Sequence, residues 1–412
     1  MKAVILAAGK GDRLKPLTET RPKHLIPLGG RPLLEWTLFG LMEAGVSDVL
    51  LVTHFMEEQI MRYFGDGSQL GMNIKYFHQE KMRGTADAFS VAEEYVEGES
   101  FIGVYGDLFV SPNSFRVLLE NHDADETTIS VLPVDDPSHW GIVELEGNHV
   151  RRIVEKPPTG EAPSNLANAG LYVFNPKIFQ SIRETGLSTR NEYEITDSIQ
   201  ILLDSCSKMR AVILSADGWL DIGLPWNVLE ANKRALEFMV ASVDGKVEDG
   251  AFIHGHVTIA EGARVRSGAY IEGPVYIGPD SDIGPNCYIR PATSIGANVR
   301  IGNACEIKNS VVMNGTHIAH LSYVGDSIIG EECNFGAGTI TANIRFDKEN
   351  IRVSVKDRRE NSGSRKLGAI IGDRVQTGIN VNLLPGVKIG SGAWVAPGFT
   401  VSSDVPSGFF LR

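Results

Sequence analysis

Three groups of residues in this 412-residue chain have the types and spacing to do chemistry. The first is the stretch LAAGKGDRLKPLTETRPK, Leu6 to Lys23, where a short apolar strand runs into Gly9 and Gly11. Arg13, Lys15, Arg21 and Lys23 then follow in a segment broken by prolines. Glycines let backbone N–H groups approach an anion, and the basic side chains add charge, a combination that suits a triphosphate. The stretch fails the dinucleotide fingerprint because Leu14 stands where a third glycine belongs. It also fails the P-loop pattern, since no Gly-Lys-Ser/Thr follows. The second group is a pair of aspartates, Asp107 closing the apolar run FIGVYGD and Asp221 in GWLDIG. Two such carboxylates at strand ends can share one Mg²⁺, although a single Asp in such a place is more often a turn or cap residue. The third is His320, within residues 319–343. An imidazole that titrates near neutrality can serve as a general base, whereas a lone histidine in a repeat more often faces solvent, the reading given to His317.

The elements that must position these residues fall into two halves with different periods. Up to Leu224 apolar strands alternate with amphipathic helical stretches: AVILAAG, RPLLEWTLFGLMEAG, DVLLVTH, EEQIMRYFG. This is α/β organisation with a mostly parallel sheet, and such sheets bind ligands outside the C-terminal ends of their strands. From Ile253 an Ile or Val recurs every six residues: Ile253, Ile259, Val265, Ile271, Ile277, Ile283, Ile289, Ile295, Ile301, Ile307. That is the signature of a hexapeptide parallel β-helix with the aliphatic residue turned inward. The pattern returns at Ile371, Leu383, Ile389, Val395 and Val401, and the polar, basic stretch between Ile344 and Leu367 reads as a loop extruded from the coil. Residues 226–245 read as a joining helix, with Leu229, Ala235, Leu236 and Met239 available for one face. The expected organisation is a first domain over 1–225, a linker helix over 226–248 and a repeat domain over 249–412.

Composition narrows the function. A hydrophobic content of 42% suffices for two cores, and a net charge of -12 argues against a general nucleic-acid binder. Any polyanionic ligand must then meet local positive charge. Cys206, Cys287, Cys305 and Cys333 are widely spaced, so neither a zinc site nor a disulfide framework is indicated. No apolar run reaches membrane-spanning length and no signal-peptide pattern opens the chain, so a cytoplasmic protein with no membrane partner is expected.

The motifs LAAGKGDRLKPLTETRPK, QEKMRGTADA, YGD, VEKP, NAG and WLDIG, in this order, resemble those of the sugar-1-phosphate nucleotidylyltransferases. The resemblance implies a Rossmann-like nucleotidyltransferase domain in which base and ribose lie against Leu6, Ala8 and Gly9, with Gln79, Gly84 and Thr85 on the base side. It implies that Arg13 and Lys23 hold the triphosphate in catalysis and that Asp107 and Asp221 hold Mg²⁺. Gly141, Glu155 and Asn168 would touch the sugar, and Lys156 its phosphate. The reaction implied is attack of a sugar-1-phosphate oxygen on the α-phosphorus of a nucleoside triphosphate, with pyrophosphate leaving and no protein nucleophile.

The stretch AHLSYVGDSIIGEECNFGAGTITAN, in turn, resembles the acetyltransferase half of the bifunctional glucosamine-1-phosphate acetyltransferase/N-acetylglucosamine-1-phosphate uridylyltransferases. On that resemblance His320 is the general base, Tyr323 and Asn334 contact the amino sugar, Arg290 and Lys308 its phosphate, and Ala337 and Asn343 lie beside acetyl-CoA. The form of the first loop, RLKPLTETRPK, looks more like thymidylyl-, guanylyl- and adenylyltransferases, which leaves UTP and dTTP both open. Which of Lys348 and Lys366 in the long insertion reaches the sugar phosphate is left open. As a whole the chain resembles the archaeal type of bifunctional sugar-1-phosphate nucleotidylyltransferase/acetyltransferase. The family implies a left-handed parallel β-helix, a homotrimer with acetyl-CoA sites between neighbours, and UDP-N-acetylglucosamine as product. Two rival readings are a monofunctional glucose-1-phosphate thymidylyltransferase with a structural β-helix and a non-catalytic regulatory subunit.

Overall fold

The structure, a computed structural model, describes all residues from Met1 to Arg412. By internal contacts the chain divides into two compact units, Met1–Lys10 with Leu33–Asp221, and Gly11–Pro32 with Ile222–Arg412. The proline-broken segment after the first strand is thus counted with the second unit.

The first unit is a nine-stranded sheet flanked by helices. Its strands lie in the order Asn73–His78, Asp48–Thr53, Lys2–Ala7, Phe101–Tyr105, Leu166–Phe174, Thr127–Pro133, Met209–Ile213, His149–Glu155, Gly141–Glu146. The run KAVILA is apolar almost throughout because it is central: Ala3, Val4, Ile5 and Ala7 are fully buried, as a strand covered on both faces requires. The helices Leu33–Glu43 and Glu57–Phe64 fall in the two expected helical stretches. The sheet is mostly parallel in strand direction, as expected, and only Leu166–Phe174 and His149–Glu155 run against the other strands. The reversal of His149–Glu155 is local, since Gly147 at φ 61 closes a turn too short for a parallel crossover.

The second unit begins its repeats with strands of two to four residues that stack into three parallel sheets, of eight, nine and eight strands. The chain visits the sheets in turn, so that Ile277 pairs with Ile295, Ile283 with Ile301 and Ile289 with Ile307, a course consistent with a parallel β-helix. All of the six-period residues from Ile259 to Ile307 are fully buried, and the sequence period is therefore the core itself. Burying each such side chain contributes roughly 1.5–3 kcal/mol. At the corners the backbone turns through left-handed residues, among them Asp280, Asn286, Asn298, Asn309, Glu332 and Asn380. Asn and Asp tolerate that conformation best among side-chain-bearing residues, which explains the recurring GPD, GPN and GAN triplets.

The helix Pro225–Phe238 starts with proline in its first turn and buries Val228, Leu229, Ala231, Asn232, Ala235 and Leu236. Asn232 binds it to the coil: its carboxamide accepts from Gly29 N–H at 2.9 Å and Ser294 Oγ at 2.6 Å, and donates to Ala292 C=O at 3.1 Å. The insertion expected as a loop is instead a hairpin, Arg352–Val355 against Arg358–Asn361. Its signal was the alternation IRVSV inside a basic stretch, because Ile351, Val353 and Val355 are buried on one face.

Candidate active sites

The first site is assembled by strand register in the first unit. Leu6 lies opposite Tyr105 in the parallel ladder, and Gly106 N–H donates to Leu6 C=O at 2.9 Å, so Asp107 emerges beside the end of the first strand. The short strand Leu108–Val110 pairs antiparallel with Trp219–Asp221, and Asp221 sits opposite Leu108, next in sequence to Asp107. Register therefore brings both carboxylates to one edge. No group of three or more acidic, His or Cys ligands forms, so a cation held here must draw further ligands from water and substrate, as Mg²⁺ commonly does. The donor set fits such an ion.

Gln79, Gly84 and Thr85 also converge in this unit. Gln79 is 4% exposed and donates to Asp87 Oδ2 at 2.7 Å. Gly84, at φ 121, lies where any Cβ would come 2.3 Å from Tyr193 C=O, a collision with backbone that no side chain can relieve. Thr85 opens the helix Thr85–Ser90, and its hydroxyl accepts from Ile195 N–H at 2.9 Å. Ala8 and Gly9 follow the first strand, with Phe55 N–H reaching Ala8 C=O at 3.4 Å.

On the other side of the sheet Gly141 pairs with Glu155. A Cβ on Gly141 would lie 2.9 Å from Glu155 Oε2 and 3.7 Å from Asn168 Cβ, so these residues share one small volume. Glu155 receives Arg190 Nη2 at 2.9 Å and Thr196 Oγ1 at 3.1 Å. Burial raises its pKa, with Arg190 and Lys156 opposing and Glu194 adding to the rise. Asn168 is held by Tyr172 Oη at 2.6 Å and Gly170 N–H at 3.0 Å, which presets the amide. Lys156 sits at φ 43 with its N–H on Trp140 C=O at 2.9 Å. Arg190, Glu194 and Tyr172 escaped the sequence reading; RNEYE before an amphipathic helix looks like ordinary surface charge, and nothing in it announces Glu155 as a partner.

Arg13 lies in the 3-10 turn Asp12–Leu14 and Lys23 opens Lys23–Leu25. Both belong to the segment that packs with the second unit. Gly11, at φ 68, brings the two turns together: its Cβ position is 3.2 Å from Lys23 Cβ, and Thr18 Oγ1 closes the loop on Gly11 C=O at 2.8 Å.

The second site lies where the second sheet of the coil turns into the third. His320 ends the strand His317–His320, pairs with Asn303 and is exposed, as is His317. Leu321 then turns the chain at φ 51 while 62% exposed, an unusual conformation for leucine of the kind that collects at functional positions. Gly338 N–H donates to His320 C=O at 3.3 Å, which places Ala337 one turn of the coil further along. Asn334 is exposed beside His317. Arg290 and Lys308 lie on successive turns, with Arg290 N–H on Ile307 C=O at 2.8 Å, so their backbones are one strand spacing, about 5 Å, apart along the ladder.

Each cation has an acidic partner. Arg290 Nη1 meets Glu306 at 2.8 Å, a contact that raises the guanidinium pKa, and Lys308 Nζ meets Asp326 at 3.0 Å. The Arg290 side chain stays 36% exposed and that of Lys308 19%, and each has N–H donors beyond those its carboxylate partner takes. Tyr323, whose pKa burial raises, accepts from Asn343 Nδ2 at 3.0 Å. Asn343 also donates to Asp326, so the structure sets its side chain with the tyrosine and lysine assigned to the amino sugar phosphate. Asp326 is 3% exposed and organises Lys308, Asn309 and Asn343 together. Sequence reading missed it, because an Asp after a glycine at a corner looks like any other turn residue.

Comparison with known proteins agrees with both halves. The nucleotidyl transferase family profile matches residues 2–237, and a profile described as the GMPPB C-terminal domain matches residues 271–377. A bifunctional protein GlmU from Methanocaldococcus jannaschii is 42% identical over 100% of this chain and 97% of its own. A bifunctional sugar-1-phosphate nucleotidylyltransferase/acetyltransferase from Sulfurisphaera tokodaii is 43% identical over the full length of both. The crystal structure of a putative glucose-1-phosphate thymidylyltransferase from Bacillus anthracis, at 29% identity and TM-score 0.53, covers 59% of this chain and 98% of that one. The structural likeness thus accounts for a nucleotidyltransferase length of chain, while the full-length relatives account for the repeats as well. The chain belongs to the bifunctional sugar-1-phosphate nucleotidylyltransferase/acetyltransferase family.

Proposed function

We propose that the chain acetylates glucosamine-1-phosphate with acetyl-CoA and joins the resulting N-acetylglucosamine-1-phosphate to a uridylyl group from UTP. Galactosamine-1-phosphate and dTTP are the neighbouring substrates to compare. The observation that carries this reading is that one chain, matched end to end by bifunctional relatives, holds two separate constellations: the Asp107/Asp221 edge with its sugar-side cluster, and the His320 corner with its stacked cations. The thymidylyltransferase reading has less support, because it leaves Arg290, Lys308, Tyr323 and Asp326 without a task.

In the acetyl transfer the amine lone pair attacks the thioester carbonyl, the C–S bond breaks, and His320 takes the ammonium proton while the thiolate of CoA leaves. Arg290 and Lys308 fix the sugar phosphate, and Tyr323 and Asn334 orient the sugar. Ala337 offers a small surface beside His320 for the acyl group, with Asn343 at the junction of sugar and cofactor. In the nucleotidyl transfer Gly141, Glu155 and Asn168 contact the sugar and Lys156 holds the phosphate. Leu6, Ala8, Gly9, Gln79, Gly84 and Thr85 hold the nucleoside, and Arg13 and Lys23 offset charge on the triphosphate. Asp107 and Asp221 would hold a Mg²⁺ ion, which when bound would supply neutralising charge to the phosphates.

The domain reading that goes with this is 1–225 for nucleotidyl transfer, a joining helix and a left-handed β-helix for acetyl transfer, assembled as a cytoplasmic homotrimer; the expected helix bounds of 226–248 are corrected to Pro225–Phe238, because the strand Ser242–Val243 already pairs within the coil. No helix is long and apolar enough to cross a membrane. The test is to supply glucosamine-1-phosphate, acetyl-CoA, UTP and Mg²⁺ and follow thiol and pyrophosphate release together. Stoichiometric release of both supports the proposal, and pyrophosphate without thiol contradicts it. Light scattering checks the trimer, against which a monomer would count.

A further inference from the structure

The segment TETR, Thr18 to Arg21, takes no part in the chemistry above, yet it carries a buried charged cluster of the second unit. Arg21 and Asp373 have side chains only 7% and 5% exposed and meet at 2.5 Å, with Glu331 3.2 Å from the same guanidinium nitrogen. Asp373 accepts Thr20 Oγ1 at 2.5 Å on Oδ2 and Glu331 N–H at 2.8 Å on Oδ1. Two positions before Arg21, Glu19 accepts Ser391 N–H at 2.8 Å and Ser407 Oγ at 2.6 Å.

Glu331, Asp373 and Ser391 follow Ile329-Gly330, Ile371-Gly372 and Ile389-Gly390, the same corner on three successive turns of the coil. The glycines make room: a Cβ on Gly330 would lie 2.5 Å from Asp373 Oδ1, and one on Gly390 2.5 Å from Ser407 Oγ. Burying an arginine–aspartate pair carries a desolvation cost, and its attested use is to fix one arrangement rather than to add stability. Arg13 and Lys23 lie on the same segment, Gly11–Pro32, that this cluster fastens.

We propose that Arg21, Thr20 and Glu19 are positioning residues that clamp the triphosphate-binding segment to the last turns of the coil, so that the coil serves nucleotidyl transfer as well as acetyl transfer. The inference rests on the reading that Arg13 and Lys23 hold the triphosphate. A displacement of order an ångström in such groups costs up to about 100-fold in rate.

Asp373→Asn in the full chain keeps the side-chain shape and removes its charge. Nucleotidyl transfer should fall about 10- to 100-fold in kcat/KM, acetyl transfer should stay within about twofold of the unaltered protein, and amide exchange over residues 11–32 should quicken. Arg21→Lys, which keeps charge but loses the planar fork, should lie between the two. Nucleotidyl transfer that stays at the parent level in Asp373→Asn overturns the proposal. So does a parallel fall of both activities, which would mark the cluster as holding up the fold alone. An unaltered protein that transfers no nucleotidyl group fails before any substitution is made, and that result removes the underlying reading and the inference with it.

Discussion

The two units solve the problem of placing a site in opposite ways. In the coil, position follows from repetition: Arg290 and Lys308 are stacked because Ile289 and Ile307 are stacked, and each is offset from the core by one residue. In the α/β unit nothing repeats, and Asp107 comes to the same edge as Asp221 only because a short strand pairs back across more than a hundred residues of chain. A repeated scaffold therefore spreads the stability of its site over many equivalent residues, whereas the assembled site depends on single contacts.

That contrast can be broken or sharpened by substitution. Ile289→Ala removes a fully buried core side chain and should cost about 2–5 kcal/mol of stability. Calorimetry should show the loss while both activities per folded molecule persist; a preserved melting temperature would mean that the coil relaxes into the void. Gly84→Ala introduces a Cβ against Tyr193 backbone and should lower nucleotidyl transfer by about 100-fold with acetyl transfer intact. Equal nucleotidyl rates would show that this turn has slack. Asp326→Asn weakens the hold on Lys308 and Asn343 and should raise KM for glucosamine-1-phosphate about tenfold, close to the effect of losing one charged hydrogen bond. An unchanged KM would make Asp326 a corner residue only.

The smallest expected effect is on pH. Burial holds the Glu155 pKa above 4.5, so the group gains its proton on acidification before ordinary glutamates do. In the proposed sugar site the ionised form accepts from sugar hydroxyls, and on that proposal the acid limb of kcat/KM for the sugar-1-phosphate should lie above pH 4.5 and be absent in Glu155→Gln. For stability the sign is opposite to that of a salt-bridged carboxylate. The folded chain binds the proton more tightly than the unfolded one, so this group's contribution is present at low pH and is lost as pH rises through the raised pKa. Glu155→Gln should accordingly gain stability relative to the parent as pH rises from that window; the reverse trend in a denaturation series would refute the assignment.

How much could be read in advance follows the same divide. The six-residue period named the buried residues of the coil one by one, since an inward position recurs without interruption from Ile259 to Ile307. The alternation IRVSV was equally visible, but its basic setting masked a hairpin. In the first unit Gly141, Glu155 and Asn168 came from motif resemblance, and the structure sets them around one volume. Arg190 was not legible, because its value lies in a distance to Glu155 that no local pattern encodes. The partnership of Arg21 with Asp373 spans 352 positions and could not be inferred from either end.

The central claim is that two independent active sites share this chain. The most direct test measures thiol release with glucosamine-1-phosphate and pyrophosphate release with N-acetylglucosamine-1-phosphate in His320→Ala and in Asp107→Asn. The account predicts that His320→Ala loses thiol release by about 10²- to 10⁴-fold while keeping pyrophosphate release, and that Asp107→Asn does the reverse. Thiol release undiminished in His320→Ala, or both activities lost together in either variant, would contradict it.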